Sequence, residues 1–185
     1  MNITKRIKYT LLVLLLLPGL ILSGCSGQAV KPDGFVYTIA DPNGDWGFPS
    51  PWGHYQRGPG YIRMSLIFDT LVWKDEKGLV PALASEWNYD YDSRTYTFIL
   101  KDGILWHDGE NLTADDVVFT FEYMKKHPYP WGDLSSVEQV SSEGDRIVKI
   151  TLKTHFAPFL SNVAASVPVI PRHICEDVED PAGFT

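Results

Sequence analysis

The segment Ile104–Met124, with the sequence ILWHDGENLTADDVVFTFEYM, constrains the fold of this chain more than any other feature. Thr113 stands three residues before Asp116, a pattern close to the capping box that begins many helices. Asp115 also falls in the first turn, where the helix dipole favours negative charge. Pro128 stops a helix, because proline has no N–H to donate. The sequence therefore predicts a helix that begins after Thr113 and ends before Pro128. Its predicted apolar face consists of Val117, Val118, Phe121 and Met124.

The same segment holds a histidine and four acids within a dozen residues: His107, Asp108, Glu110, Asp115 and Asp116. These residue types could form a metal site or an acid–base site, or they could belong to a turn and a helix start. A metal site needs side chains that converge, as two histidines four residues apart do on a zinc-binding helix. The histidines of the chain do not have this spacing: His54, His107, His127, His155 and His173. We therefore expect structural roles for the cluster, and no metal, cofactor or catalytic residue.

Strand patterns stand on both sides of this helix. The sequence TYTFIL at 95–100 alternates so that its apolar side chains share one face, and DRIVKITLK at 145–153 does the same. The predicted inward-facing residues are Tyr96, Phe98, Leu100, Val148, Ile150 and Leu152. Other apolar patterns predict a strand at Phe35–Ala40 and helices at about Tyr61–Val72, in PALASEW from Pro81, and in PFLSNVAAS from Pro158. The chain is therefore expected to contain both helices and strands.

The N-terminus has the three parts of a secretion signal. Three basic residues precede the apolar run 11–22, which is shorter than the roughly 20 residues that a membrane span requires. The sequence Leu22-Ser23-Gly24-Cys25 follows and resembles the lipobox of prokaryotic lipoproteins. We expect residues 1–24 to be a lipoprotein signal peptide, Cys25 to receive the lipid, palmitate included, and residues 25–34 to be a polar tether. The alternative is an ordinary secretion signal followed by an incidental cysteine.

The remaining residues, 35–185, have the composition of a folded acidic domain. Removal of residues 1–24 takes away three basic groups and no acid, so the net charge shifts from −7 to −10. A chain of this charge lacks the basic surface of a nucleic-acid-binding protein. If Cys25 is lipidated, Cys175 has no partner within the chain. We expect Cys175 to be a small residue that is buried or half-buried.

Four stretches resemble, in order, successive motifs of one family: IFDTLVWKDEKGLVPALASEW, YTFILKDGILWHDGENLTADDVVFTFEYM, VKITLKTHFAPFL and VIPRHI. The family is the family 5 extracellular solute-binding proteins, the peptide and nickel receptors of ABC importers. The resemblance spans about Phe35 to Phe184. It implies an α/β fold of the class II periplasmic-binding-protein type with a mixed sheet, in a receptor whose two lobes close on the ligand. The implied ligand is a peptide or a nickel or other organic chelate, and the implied partners are ABC permease subunits.

Members of this family are considerably longer than this chain. The sequence stops at Thr185 without an obvious helix or strand to finish on. We expect residues 35–185 to be the N-terminal part of the solute-binding domain, within the first lobe of a longer receptor. The alternative is a complete short protein.

The loop after the first predicted strand is rich in glycine, proline and aromatic residues. Ligands of open α/β sheets bind in crevices at strand ends, and exposed rings suit flat contacts with a peptide or an organic chelate. The candidate ligand-binding residues of this loop are Trp46, Phe48, Trp52, His54, Tyr55 and Arg57. Trp131, which follows the capped helix, is a further candidate. The alternative is that these rings only fix a long loop to the domain.

Two functions remain open at this point. The first is the ligand-binding component of an importer, anchored by lipid to the cell membrane on its extracytoplasmic side. The second is a lipid-anchored sensor that uses the same fold without transport. A secreted hydrolase is disfavoured, because no Ser/His/Asp arrangement or carboxylate pair stands out in the sequence.

Overall fold

The computed structural model describes residues 45–55 and 58–184. The predicted strand at Phe35–Ala40 and the site candidates Cys25 and Arg57 lie outside these ranges. No helix in the described ranges is long and apolar enough to cross a membrane. The helices are α1 (Pro59–Ser65), α2 (Ala114–Lys126) and α3 (Arg172–Cys175), with a π-helical turn at Leu160–Ala164. The strands are β1 (Val72–Asp75), β2 (Gly78–Pro81), β3 (Ala84–Asp90), β4 (Thr95–Leu100), β5 (Val137–Glu143) and β6 (Ile147–Leu152).

The main sheet has four strands in the order β3-β4-β6-β5, and β1 pairs with β2 in a separate hairpin. Every strand pair among the described residues is antiparallel. Short connections favour this arrangement, because a tight turn joins antiparallel neighbours whereas a parallel pair needs a crossover of a dozen or more residues. The structure is therefore α/β in content, and the mixed sheet that the resemblance implies is not seen among the described strands.

The two central strands, β4 and β6, bury alternate residues, which confirms the prediction from their sequences. The inward-facing side chains are Tyr96, Phe98, Leu100, Val148, Ile150 and Leu152, all of them buried. Helix α2 packs on β5 and β6 with Val117, Phe121 and Met124 buried and Val118 half-buried. Burial of each large apolar side chain contributes about 1.5–3 kcal/mol, so this layer of helix on sheet dominates the stability of the fold.

Helix α2 begins at the predicted capping box. The backbone N–H of Thr113 donates to Asp116 Oδ2 at 2.8 Å, and the Thr113 hydroxyl donates to the same oxygen at 3.2 Å. Asp115 accepts a hydrogen bond from the hydroxyl of Ser142 on β5, at 2.6 Å. The helix ends at Lys126, two residues before Pro128. The helix start, its end and its apolar face are therefore confirmed.

The helix predicted at about Tyr61–Val72 is correct only in its first half. Helix α1 ends at Ser65, and Val72 is the first residue of β1. Asp69 accepts a hydrogen bond from the N–H of Thr70 at 2.8 Å, a local bond that competes with a helical one. Val72 is fully buried in the β1–β2 hairpin instead of a helix, because β-branched side chains pack well in strands.

The helix predicted in PALASEW is wrong. Pro81 is the last residue of β2, and Ala84 begins β3. The N–H of Leu83 donates to the carbonyl of Thr70 at 3.1 Å, and the N–H of Ala84 donates to Leu71 at 2.9 Å. These long-range bonds outweigh the helix propensity of two alanines, because propensity contributes only tenths of a kcal/mol at each residue.

The helix predicted from Pro158 is present only as the π-helical turn at Leu160–Ala164. Phe159, which precedes the turn, is fully buried, and its ring centroid lies 4.6 Å from that of Tyr96. A buried segment without helix or strand, 167–171, then leads to α3. The packing of Phe159 therefore fixes the path of the chain from β6 to α3.

Candidate functional site

The aromatic loop 45–55 is closed on itself by backbone bonds. The N–H of Tyr55 donates to the carbonyl of Trp46 at 2.7 Å, and Gly47 pairs with His54 in an isolated antiparallel bridge. The hydroxyl of Ser50 accepts a further hydrogen bond within the loop. This closure explains how a segment rich in glycine and proline holds several large rings in fixed positions.

Gly47 is required by the geometry of this loop. Its φ of +77° lies in the left-handed region that favours glycine. A Cβ atom at this position would lie 2.3 Å from the carbonyl oxygen of Gly53, far inside van der Waals contact. Closure of the loop therefore depends on the missing side chain.

Two of the predicted ligand-binding residues make hydrogen bonds that hold their rings in place, and that of Trp52 joins the loop to the rest of the domain. The indole Nε1 of Trp52 donates to the carbonyl of His127 at 3.1 Å, at the end of α2. His54 is 4% exposed, and its Nδ1 donates to the carbonyl of Tyr55 at 2.8 Å. The Nε2 of His54 is buried and has no hydrogen-bond partner in the part of the chain that the structure describes. Both residues have packing roles in this structure.

A chain of aromatic contacts joins this loop to Trp131. The ring of Trp52 meets Tyr129 edge to face, with ring centroids 6.4 Å apart. The His54 ring lies 6.5 Å from Tyr129 and 6.4 Å from Tyr61. Tyr61 in turn lies 5.7 Å from Trp131. Tyr61 therefore links Trp131 to the loop candidate His54, although more than 70 residues separate the two in sequence.

Tyr61 and Tyr129 are the members of this site that the sequence analysis missed. Tyr129 is buried, and burial raises the pKa of its hydroxyl far above the ordinary value. Its hydroxyl has no hydrogen-bond partner among the described residues. The sequence gives one indication that Tyr129 belongs to the site, namely that it stands two residues before Trp131 in HPYPW. This spacing does not show that Tyr129 is buried and Trp131 exposed.

Three candidates present rings to solvent. The exposed fractions are 47% for Phe48, 59% for Tyr55 and 44% for Trp131. Trp46 is half-buried, and its ring centroid lies 5.5 Å from that of Tyr55. Tyr55 contacts the half-buried Trp46, and Trp131 contacts the half-buried Tyr61, so both exposed rings have a support for flat contacts with a ligand. These three side chains are the members of the candidate site that remain accessible.

An apolar cavity of about 240 Å³ opens next to the loop. Its walls come from five parts of the chain: the loop, the residues after α1, the turn before α2, α2 itself through Tyr123, and the segment around α3. The residues that define these walls are Phe48, Trp52, Phe68, Trp106, Ile174 and Phe184. A cavity with such walls suits an apolar group, since few polar atoms would lose water on binding. The sequence did not predict this cavity, because it arises only from the packing of distant segments.

Cys175 lies in the wall of this cavity and is half-buried, as expected. Burial raises the pKa of its thiol to about 11. At neutral pH the thiolate is therefore a very small fraction, and the thiolate is the nucleophilic form. Cys175 is an apolar wall residue and not an activated nucleophile.

A charged pair stands at the rim of the same cavity. Nε2 of His173 lies 2.7 Å from Oδ2 of Asp108, and the N–H of Glu110 donates to Oδ1 of Asp108 at 3.1 Å. The hydrogen bond between the pair lowers the pKa of the Asp108 carboxyl and raises that of His173. Within the described ranges, no group of three or more His, Cys, Asp or Glu is placed to hold a metal ion.

Comparison with known sequences decides the family. The sequence model of the bacterial extracellular solute-binding proteins, family 5 (middle region), matches residues 78–184. This chain belongs to the family 5 solute-binding proteins. Among family 5 proteins, the dipeptide-binding protein of Escherichia coli K12 is 32% identical over 106 residues, which cover 46% of this chain and 20% of that protein. The oligopeptide-binding protein AppA of Bacillus subtilis is 29% identical over 189 residues, which cover 94% of this chain and 35% of AppA.

Solved structures of family 5 proteins have the same fold. NikZ from Campylobacter jejuni in complex with Ni(L-His) superposes with a TM-score of 0.61 at 29% identity, over 74% of this chain and 27% of NikZ. AppA from Bacillus subtilis in complex with a nonapeptide has a TM-score of 0.61 at 27% identity, over 72% of this chain and 28% of AppA. The chain therefore spans about a third or less of the length of these relatives, and its fold matches that part of a periplasmic binding protein.

Proposed function

We propose that this protein captures a peptide or a metal chelate outside the cytoplasmic membrane and delivers it to the permease of an ABC importer. Membership of family 5 supports a solute-binding role. Relatives named for dipeptide and oligopeptide binding support a peptide ligand, and the complex of NikZ with Ni(L-His) supports a chelate. Both ligand types present flat, polar groups that stack well on aromatic rings.

The observation that supports this proposal most directly is the contrast in exposure within the aromatic loop. Trp52 and His54 are buried or half-buried and hydrogen-bonded, whereas Phe48, Tyr55 and Trp131 are exposed. Exposed rings on a fixed support lose little conformational entropy when they bind, which favours affinity. We therefore assign Phe48, Tyr55 and Trp131 as ligand contacts, with Trp46, Trp52 and His54 as their support. Arg57 remains a candidate from its position in the sequence.

The place of action in this proposal is the outer face of the cell membrane. The basic, apolar and small residues that precede Cys25 stand in the order of a lipoprotein signal. Lipid on Cys25 would anchor the protein, and two or more acyl chains would make the anchor stable, which one chain alone does not. An anchored receptor stays near its permease, so that captured ligand is delivered over a short distance.

The proposal is tested with variants of two tryptophans that are equally exposed. Trp131 is 44% exposed beside the aromatic loop, and Trp73 is 46% exposed on the β1–β2 hairpin. Equilibrium dialysis measures binding of a pool of random tripeptides and, separately, of Ni²⁺ with L-histidine. We expect Trp131→Ala to weaken binding of the accepted probe by about 5- to 30-fold, equivalent to about 1–2 kcal/mol. Trp73→Ala should change it by less than about twofold, as exposed residues away from an interface do.

Equal effects of the two substitutions would show that Trp131 does not contact the ligand. If the unmodified protein binds neither probe, the solute-binding proposal itself is contradicted. These outcomes are distinct, because the first concerns one residue and the second the whole site.

A further inference from the structure

The ion pair between Asp108 and His173 joins two segments that are 65 residues apart in sequence. Asp108 belongs to the turn between Leu105 and Asn111, which pair in an isolated antiparallel bridge. His173 is the second residue of α3. The distance from Nε2 to Oδ2 is 2.7 Å, and the two side chains are 39% and 40% exposed. The contact is thus at the surface and reachable by protons.

The pair stands where two walls of the apolar cavity meet. His107 and Asp108 line the cavity from the turn, and Ile174 and Cys175 line it from α3. A change in the distance between Asp108 and His173 therefore changes the width of the cavity at this rim.

Helix α3 depends on polar contacts for its position. Its four residues are all exposed or half-buried, so apolar burial contributes little to holding it. The N–H of Arg172 donates to Asp116 Oδ1 at 2.9 Å, and the hydroxyl of Tyr123 donates to the carbonyl of Val178 at 2.7 Å. Among these contacts and the Asp108–His173 pair, the pair is the one that contains a histidine. A change in the protonation of His173 near neutral pH can therefore weaken it.

We propose that the Asp108–His173 pair is a pH-sensitive bridge that holds the segment 172–184 against the turn at 105–111 and so controls opening of the apolar cavity. The bridge is strong when His173 is protonated and Asp108 is ionised. It weakens when either group loses its charge, because a neutral imidazole or a protonated carboxyl gives up the electrostatic part of the contact.

The charges around His173 determine the direction of the pH dependence. Asp108 and Glu110 from the turn, and Asp116 from α2, all favour the imidazolium and raise the pKa of His173 above its ordinary value of 6.5. On its own helix, Arg172 is paired with Glu176 at 3.2 Å. Because the folded pKa is raised, the contribution of His173 to stability is fully present below about pH 6.5 and is lost as pH rises through the folded pKa.

Asp108 sets the lower limit of the pH range in which the bridge is formed. Its pKa is lowered, chiefly by the hydrogen bond from His173. The contribution of a carboxyl with a lowered pKa is present above its ordinary value of 3.8 and is lost as pH falls through the folded pKa. The bridge is therefore strongest in mildly acidic solution and opens toward alkaline pH.

Titration by NMR of the full chain tests the first half of this inference. The imidazole signals are followed between pH 5 and 9, and His173 is assigned by its loss in His173→Gln. We expect the pKa of His173 to be higher than in the urea-unfolded chain and to fall in Asp108→Asn. Asparagine keeps an oxygen that accepts the N–H of Glu110, so the turn should stay folded. A pKa of His173 that is equal in the unmodified and Asp108→Asn proteins overturns the inference.

Amide hydrogen exchange at pH 5.5 and 8.0, corrected for intrinsic rates, tests the second half. We expect residues 174–178 to lose protection by about 1.5- to 5-fold on going to pH 8.0, the range of an exposed ion pair. His173→Gln and Asp108→Asn should lack this change. Glu176→Gln removes the other ion pair of α3 and serves as the matched control, in which the change should persist. Equal pH dependence in all four proteins would show that the pair does not hold the segment.

Discussion

The buried carboxylate of Asp116 accepts a hydrogen bond from the backbone N–H of Arg172 at 2.9 Å, across 56 residues of sequence. Its other oxygen accepts the N–H of Thr113 at 2.8 Å. One side chain therefore begins α2 and also fixes the start of α3, which forms a wall of the apolar cavity. The capping box that is readable in the sequence has a second, long-range partner that the sequence does not reveal.

This double role predicts a large effect of Asp116→Ala. Removal of the carboxylate leaves two backbone donors without their partner, and hydrogen bonds to charged groups contribute about 1.5–3 kcal/mol each. We expect a loss of about 2–4 kcal/mol in the free energy of unfolding, measured by urea denaturation. Thr113→Ala should cost near the lower end of the 0.5–2 kcal/mol typical of N-cap changes, since its hydroxyl bonds only to Asp116. The opposite order of the two losses would contradict the role given to Asp116.

The closure of the aromatic loop predicts an effect of Gly47→Ala. Both Gly47 and Gly103 have positive φ, at 77° and 66°, so alanine costs roughly 1–2 kcal/mol at either position for backbone reasons alone. Only at Gly47 would the new Cβ meet backbone, namely the carbonyl of Gly53. Thermal denaturation should therefore show a greater loss for Gly47→Ala than for the control Gly103→Ala. Equal losses would mean that the loop accommodates the side chain.

The sequence predicted those parts of the fold that depend on local patterns. The alternation in TYTFIL and the spacing from Thr113 to Asp116 each require only neighbours in the chain. The helix expected in PALASEW was wrong because Ala84 bonds to Leu71, a contact set by tertiary structure.

The sequence predicted only part of the site, because the rest depends on contacts between segments that are distant in the chain. An aromatic loop and Trp131 are visible as residue types, but the order of rings that connects them through Tyr61 and Tyr129 depends on packing. Which rings are exposed also depends on packing. In the sequence, the buried or half-buried Trp52 and His54 cannot be told apart from the exposed Trp131 and Tyr55, because all four are aromatic residues in loops. The lipid anchor at Cys25 and the role of Arg57 remain predictions.

The raised pKa of Cys175 predicts slow alkylation. A shift from the ordinary value of 9.0 to about 11 lowers the thiolate fraction at pH 7.5 by about a hundredfold. We expect N-ethylmaleimide at pH 7.5 to modify Cys175 in the folded protein at least about tenfold more slowly than in urea, because the greater nucleophilicity of a thiolate with a raised pKa offsets only part of the loss of thiolate. Mass spectrometry of the peptide that contains Cys175 measures the rate. Comparable rates in the folded and unfolded chains would contradict the buried position of the thiol.

The proposed anchor predicts the behaviour of Cys25→Ala. Without the thiol there is no site for the diacylglyceryl group, so the protein should move from the membrane fraction to the soluble extracytoplasmic fraction or remain unprocessed. Cys175→Ala is the matched control and should leave the protein in the membrane fraction. Cell fractionation measures the distribution, and mass spectrometry of the N-terminal peptide detects the lipid. Two results would contradict the anchor: a processed Cys25→Ala protein that partitions to the membrane as the unmodified protein does, or an N-terminal peptide of the unmodified protein that carries no lipid.

Calorimetric titration of the full chain measures whether this protein binds a solute. The two probes are a pool of random tripeptides and Ni²⁺ with L-histidine, each titrated into protein whose folding has been verified by circular dichroism. We expect weak but saturable binding of one probe, because this chain spans about a third or less of the length of its relatives and so offers only part of their contacts with a ligand. The binding should be abolished, or weakened about tenfold, when Phe48, Tyr55 and Trp131 are all replaced by alanine. Absence of saturable binding of both probes at millimolar concentration would contradict the solute-binding proposal.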